Sequence, residues 1–239
     1  MFRQGKPRAF IHNLRLATML SFVAGVVNIS GVLAINTLTT NVTGHFAFFA
    51  EEFVIGDYSK ALAFASYILF FLLGAFCCSL LVEFMLRRNA RRSHAIPMLI
   101  EIGILVLVPI IMGQSSTGNN TIACALLFGM GLQNALVTKI SQATVRTTHL
   151  TGLFTDLGIE LSQLFFYKDQ ADKNKLARSI YLRIAIIGFF FVGCVIGGFG
   201  FSRLNVKTLF IAAAVLVAAL AYDNLKLSFL HYKKKLLSD

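Results

Sequence analysis

Apolar residues in this chain fall into long blocks separated by short polar ones. Leu16–Asn36, Ala61–Val82 and Ile184–Ser202 contain no Asp, Glu, Lys or Arg. About 20 apolar residues at 1.5 Å each cross the hydrocarbon core of a bilayer, so runs of this length read as membrane helices. Six long segments follow, near residues 14–36, 60–86, 95–113, 121–142, 179–201 and 206–228. Two shorter segments, Thr43–Gly56 and Thr151–Tyr167, carry acids: Glu51 and Glu52 in the first, Asp156 and Glu160 in the second. The predicted fold class is therefore all-α membrane, with six transmembrane helices plus two short re-entrant or interfacial helices.

The pattern repeats. Ser21–Asn28 aligns with Leu127–Asn134 at an offset of 106, and Thr39–Phe46 with Thr147–Phe154 at an offset of 108, which also carries Glu52 onto Glu160. Phe70–Gly74 matches Phe189–Gly193 at a larger offset, the polar insertion Lys168–Arg178 lying between. Three matches in order point to a duplication within a single membrane domain, 14–113 forming the first half and 121–228 the second.

Composition agrees. The chain has 239 residues, 56% hydrophobic and 14% charged, where a soluble domain carries charge at about a quarter of its positions. The net charge of +11 would suggest nucleic acid on a soluble protein. Here the bases flank apolar runs, as in Arg87-Arg88-Asn89-Ala90-Arg91-Arg92 and Lys233–Lys235, which fits anionic lipid instead. If the two short segments do not cross, 19 of the 22 Lys and Arg share the side of both termini, and only Lys60, Arg203 and Lys207 lie opposite. If both cross, the split falls to 14 against 8. The positive-inside rule selects six spans with both termini cytoplasmic. The first half then starts inside and the second outside, an inverted arrangement recurrent in transporters. The basic N-terminal stretch (Arg3, Lys6, Arg8, Arg15) resembles a signal peptide, but the apolar run after it is too long and belongs to the duplication.

Candidate chemistry centres on the short segments. Thr39-Thr40-Asn41-Val42-Thr43-Gly44 and Thr147-Thr148-His149-Leu150-Thr151-Gly152 are rich in helix-capping residues, with Thr43 and Thr151 as the expected caps. If both loops reach the membrane interior, two helix N-termini converge with their positive dipole ends on one place. The alternative is a pair of interfacial helices with no ligand. Asp156, Glu160 and Gln163 share a helical face, and His45 shares one with Glu52. A carboxylate at membrane depth is expensive and usually faces a cavity, partner or proton path; Glu52, Asp156 and Glu160 are the candidate ion-coupling residues, with Glu101 a weaker one. Glu83 is expected to pair with Arg87, and Asp223 with Lys226. Arg146 precedes the second Thr pair where the first half has Leu38, and suits either an anionic solute or a cytoplasmic anchor. Asn28 and Asn134 are equivalent positions that either bond between helices or hold the Thr-rich loops. Substrate-binding candidates are thus Asn28, Thr39, Thr40, Asn41, Thr43, His45, Asn134, Arg146, Thr147, Thr148, His149 and Thr151.

Other chemistry finds no support. Cys77, Cys78, Cys124 and Cys194 all lie in apolar runs, without metal-site spacing. There is no Gly-Lys-Ser/Thr phosphate loop, HExxH stretch or nucleophile–base–acid pattern. No catalytic residue, metal or cofactor is expected. The expected partners are the bilayer and a small solute, not nucleic acid, with a homo-oligomer compatible with the sequence.

At Thr39–Phe46, with Gly25 and Asn28 upstream, and again at Gly129–Asn134 and Thr147–Gly158, the chain resembles the YoaK-like family of bacterial membrane proteins. The resemblance runs over roughly residues 14–225. It implies a bacterial inner-membrane location and brings no substrate or catalytic residue. The function expected is transport of a small polar or anionic solute, by a transporter or channel, with a non-transporting scaffold, assembly partner or sensor as the alternative and a membrane enzyme third.

Overall fold

The computed structural model describes residues 10–88, 94–114, 118–141, 147–166 and 170–236, with side chains at 12–13, 113–114, 170–171 and 223–236 excepted. Among the described residues there are α-helices, one 3-10 turn and no strands. The helices are α1 (Phe10–Ile35), α2 (Val42–Ile55), α3 (Tyr58–Arg87), α4 (Ala95–Gln114), α5 (Asn119–Ile140), α6 (Leu150–Gln163), α7 (Gln170–Leu204) and α8 (Leu209–Leu236), with the turn at Asn205–Thr208. All six long segments and both short ones are helical. α7 starts earlier than expected because the polar insertion joins it, with Asp172 in its first turn.

Five stretches are long and apolar enough to cross a bilayer by length and composition: Leu14–Ile35, Tyr58–Arg87, Ala95–Met112, Asn119–Ile140 and Asp172–Tyr222. The last is 51 residues long and comprises α7, the turn and α8 up to Tyr222. Fully helical it would measure ~75 Å, over twice the ~30 Å core. On α3, Leu69, Leu72, Phe76, Leu80 and Phe84 are exposed, as lipid-facing side chains are.

The packing is built on glycines. A Cβ at Gly25 would collide with the Phe190 carbonyl oxygen, and one at Gly193 with the Phe22 carbonyl oxygen, so α1 and α7 meet backbone to backbone. α3 and α5 meet in the same way: a Cβ at Gly131 would strike the Phe71 carbonyl oxygen, and one at Gly74 that of Phe128. Small residues allow this approach, which strengthens dispersion contacts where lipid removes the hydrophobic drive. Register gives direction. Phe10 meets Tyr181 and Gly193 meets Phe22, so α1 and α7 run parallel. Tyr67 bonds Asn120 and Lys139 bonds Glu83, so α3 and α5 also run parallel. Between the two pairs, Gln133 Nε2 donates to the Leu20 carbonyl at 2.8 Å. One cavity gathers Ile35, Ser59 and Asn120, so the end of α1 meets the starts of α3 and α5, and α1 opposes both.

The helices thus form a row, α2–α3–α5–α1–α7–α6. α4 packs on α5 and α8, and α8 packs on α1, which closes a four-helix centre of α1, α4, α5 and α8. α2 and α6 lie at opposite ends of the row and make no contact with each other.

Candidate functional site

The first short segment begins where α1 ends. Asn36 adopts φ 53°, a left-handed conformation that Asn tolerates better than most residues. The chain turns back along α1, and Thr39 settles against Gly31, where a Cβ would crowd its methyl group. Asn28 Oδ1 then accepts two hydrogen bonds, from the Thr39 N–H at 3.2 Å and the Thr40 hydroxyl at 2.9 Å. Of the two roles expected for Asn28, it takes the second and holds the loop. Thr39 and Thr40 are buried.

α2 leaves this point toward the start of α3. Its cap is Asn41, whose Oδ1 accepts from the Gly44 N–H at 3.0 Å. The expected cap Thr43 is instead exposed in the first turn. Asn wins because its amide oxygen reaches the third N–H on directly. At the other end, Gly56 has φ 90°, and the Asp57 N–H bonds the Glu52 carbonyl at 2.9 Å. That left-handed turn favours glycine, and it reverses the chain into α3. Asp57 caps α3, and its hydrogen bonds with Lys60 hold its carboxyl below the usual range.

His45 is buried on the α3 side of α2. Its Nε2 donates to the Leu38 carbonyl at 2.7 Å, and its ring stacks on Phe64 and meets Tyr67 edge-on. The Tyr67 hydroxyl donates to Asn120 Oδ1 at 2.7 Å, which ties the cluster to α5. Thr39 Oγ1 and His45 Nδ1 are buried without a partner among the described residues. Beside them opens a cavity of about 460 Å³, lined by Val32, Asn36, Leu38, His45, Phe64 and the carboxylates Glu51 and Glu52, among others. A second cavity of about 250 Å³ shares Asn36, Thr37 and Phe64 with it and reaches Lys60 and Asn120.

The second short segment resembles the first in course but not in bonding. His149, not Thr151, occupies the cap position of α6, and no side-chain hydrogen bond closes it. Thr151 is exposed, Thr148 half-buried and Thr147 fully buried. Asn134 Oδ1 has no partner among the described residues, unlike its counterpart on Asn28, whereas Thr147 Oγ1, like its counterpart on Thr39, has none among them in either half. Arg146 lies outside the described residues.

α2 and α6, whose N-termini are expected to converge if both loops reach the membrane interior, make no contact with each other. α2 is held by α3 and α6 by α7, at opposite ends of the row. Along the bundle axis, Leu20 and Gln133 mark a common level on antiparallel helices. Asn28 lies eight residues beyond one and Asn134 one beyond the other, which separates the two asparagines by ~13 Å in height at 1.5 Å per residue.

The acids divide. Glu52 is 3.7 Å from Lys60, which binds Asp57 more closely at 2.9 Å, so Glu52 keeps most of its bonding capacity toward the larger cavity. Glu160 is committed: it accepts from Ser179 at 2.6 Å and from Arg183 at 2.8 and 2.9 Å. Asp156 accepts from the same guanidinium at 2.8 Å. Gln163, on the same face, is half-buried. Glu83 bonds Lys139 across α3 and α5 at 2.7 Å, rather than Arg87 one turn along. The side chains of Asp223 and Lys226 lie outside the described residues.

Sequence reasoning missed Arg183, Ser21 and Gln133. For Arg183 a signal existed: the offset of 119 that maps Gly74 onto Gly193 maps Phe64 onto it. Glu101 is fully buried on α4, and both its oxygens lack a partner among the described residues.

These apolar helices, their glycine-mediated packing and their exposed aliphatic faces are compatible with a helical protein of the multi-pass membrane class. The chain belongs to the family described as protein of unknown function DUF1275, whose model matches residues 16–222. That description does not carry the YoaK-like name. No curated protein and no solved structure matches the chain.

Proposed function

We propose that the chain is an inner-membrane transporter of a small polar solute, built from two inverted halves of three spans with both termini cytoplasmic. In this reading α1, α3, α4, α5, α7 and α8 span, and α2 and α6 are re-entrant half-helices that enter from opposite faces. The exchange of glycine contacts supports the duplication: Gly25 on Phe190 and Gly131 on Phe71 occupy equivalent places in the two halves, as do Gly193 on Phe22 and Gly74 on Phe128. The opposed directions of α1 and α5 support the inversion.

The observation that carries the transport reading is the first cavity. His45, whose Nδ1 has no partner among the described residues, and the two carboxylates Glu51 and Glu52 border one space of about 460 Å³. Each buried polar atom without a partner costs ~1–3 kcal/mol, a cost that a bound polar solute removes. Irregular backbone at membrane depth is tolerated where it lines such a space. The test is uptake of a panel of small polar and anionic solutes by liposomes holding the purified protein. Saturable uptake that Glu52→Gln reduces, with thermal stability unchanged, is the expected result; uptake equal to protein-free liposomes across the panel would reject it.

A non-transporting scaffold is the second reading. Its specific support is that Asn28 already holds the first loop through two hydrogen bonds and Arg183 already pairs with both acids of α6.

A further inference from the structure

The acid that the site leaves unused is the most deeply buried one. Glu101 is fully buried near the middle of α4, with neither oxygen partnered among the described residues. Its height follows from its neighbours. α4 and α5 form a hairpin in which a Cβ at Gly129 would lie 3.7 Å from the Ile104 side chain, so Glu101 sits beside Leu132. The α3–α5 register brings Cys78 to the same height, and the Gln133–Leu20 bond brings Ser21 there from α1. Ser21 Oγ, Gln133 Oε1 and Asn134 Oδ1 are also buried without a partner among the described residues. One carboxylate, one hydroxyl and two amide oxygens therefore share a level about one turn deep, inside or beside the centre formed by α1, α4, α5 and α8.

We propose that Glu101 is a buried site for a monovalent cation, either a proton or a sodium ion, on α4 where it packs against α5 and α8. An unpaired carboxylate in a dry interior is costly enough that it takes up a proton or holds a counter-ion. A carboxylate is a hard oxygen donor and suits such a cation. Among the described side chains, the titratable groups on the elements packed against α4 do not supply that counter-ion. Cys78 on α3 is a thiol, and Glu83 there is an acid bonded to Lys139, the base of α5. Lys207 of the 3-10 turn is exposed, and Tyr222 of α8 accepts from Arg15. Glu52 of α2 and both acids of α6, by contrast, have cationic partners. The inference deepens the transport reading and rests on it only for what the cation is used for; binding itself needs no flux.

Infrared difference spectroscopy of the purified protein, between acidic and alkaline buffers and with sodium chloride against choline chloride, tests this directly. A carboxyl band that is lost in Glu101→Gln and responds to pH alone identifies a proton site. A band that shifts with sodium, and not with choline, identifies a sodium site. Dicyclohexylcarbodiimide, which attacks protonated carboxyls in apolar surroundings, should form an adduct on Glu101 that alkali, or sodium, suppresses. No difference between wild type and Glu101→Gln at any pH or salt, with no adduct on Glu101, would overturn the proposal even if solute uptake were found. Absence of uptake with the band present would reject transport and leave the cation site standing.

Discussion

Arg183 donates to Asp156 at 2.8 Å across the α6–α7 hairpin, at the place where the α2–α3 hairpin sets Phe48 against Phe64, ring centroids 5.3 Å apart. The same backbone register is thus closed by an ion pair in one half and by two aromatic rings in the other. Glu160 adds to the ionic version, with its side chain only 13% exposed.

Removing the guanidinium strands those acids. Arg183→Leu should lower stability by about 3 kcal/mol, since a largely buried carboxylate loses its partner. Adding Glu160→Gln should recover part of that loss. Thermal unfolding of the two variants in detergent checks both, and equal stability of wild type and Arg183→Leu would deny the pair a structural role.

The glycine contacts predict a sharp positional contrast. Gly25→Val and Gly131→Val press a side chain into a facing carbonyl oxygen and should abolish a monodisperse folded fraction on size exclusion. Gly103→Ala meets nothing within 4 Å, so it should be neutral or stabilise by up to about 1 kcal/mol.

The Asn28 and Asn134 side chains should differ in effect despite their matching positions. Asn28→Ala breaks two hydrogen bonds to the Thr-rich loop and should cost about 2 kcal/mol. Asn134→Ala removes an oxygen that has no partner among the described residues and should cost less. Parallel melting curves decide the order.

The fold was readable where it depends on local pattern. Charge-free runs located the long helices, and the Thr-rich repeats located α2 and α6. What depends on tertiary partners was not readable. Glu83 has Arg87 one turn away in sequence, yet α3 lies parallel to α5 and brings Lys139 to 2.7 Å. The caps went to Asn41 and His149 because the helices start before Thr43 and Thr151. α2 packs on α3 and α6 on α7 rather than on each other, a choice of partner that no single-segment pattern encodes. The glycines that make this choice, Gly25, Gly74, Gly131 and Gly193, were visible in the repeat, but their facing carbonyls were not.

Topology follows from the charge split. Reporter fusions after Arg92 and after Lys235 should both signal cytoplasm, and one after Gly118 should signal periplasm. A periplasmic signal after Arg92 would remove the six-span arrangement.

The account stands on two half-helices that enter from opposite faces, and sided labelling tests this most directly. Single cysteines replace Leu38, which borders the larger cavity, and Thr148, half-buried in the second loop, in a background without Cys77, Cys78, Cys124 and Cys194. A small membrane-impermeant thiol reagent is applied to right-side-out or to inverted vesicles. Leu38→Cys should react only from the periplasmic face and Thr148→Cys only from the cytoplasmic face. Reaction of both from the same face would contradict the inverted arrangement and the transport reading built on it.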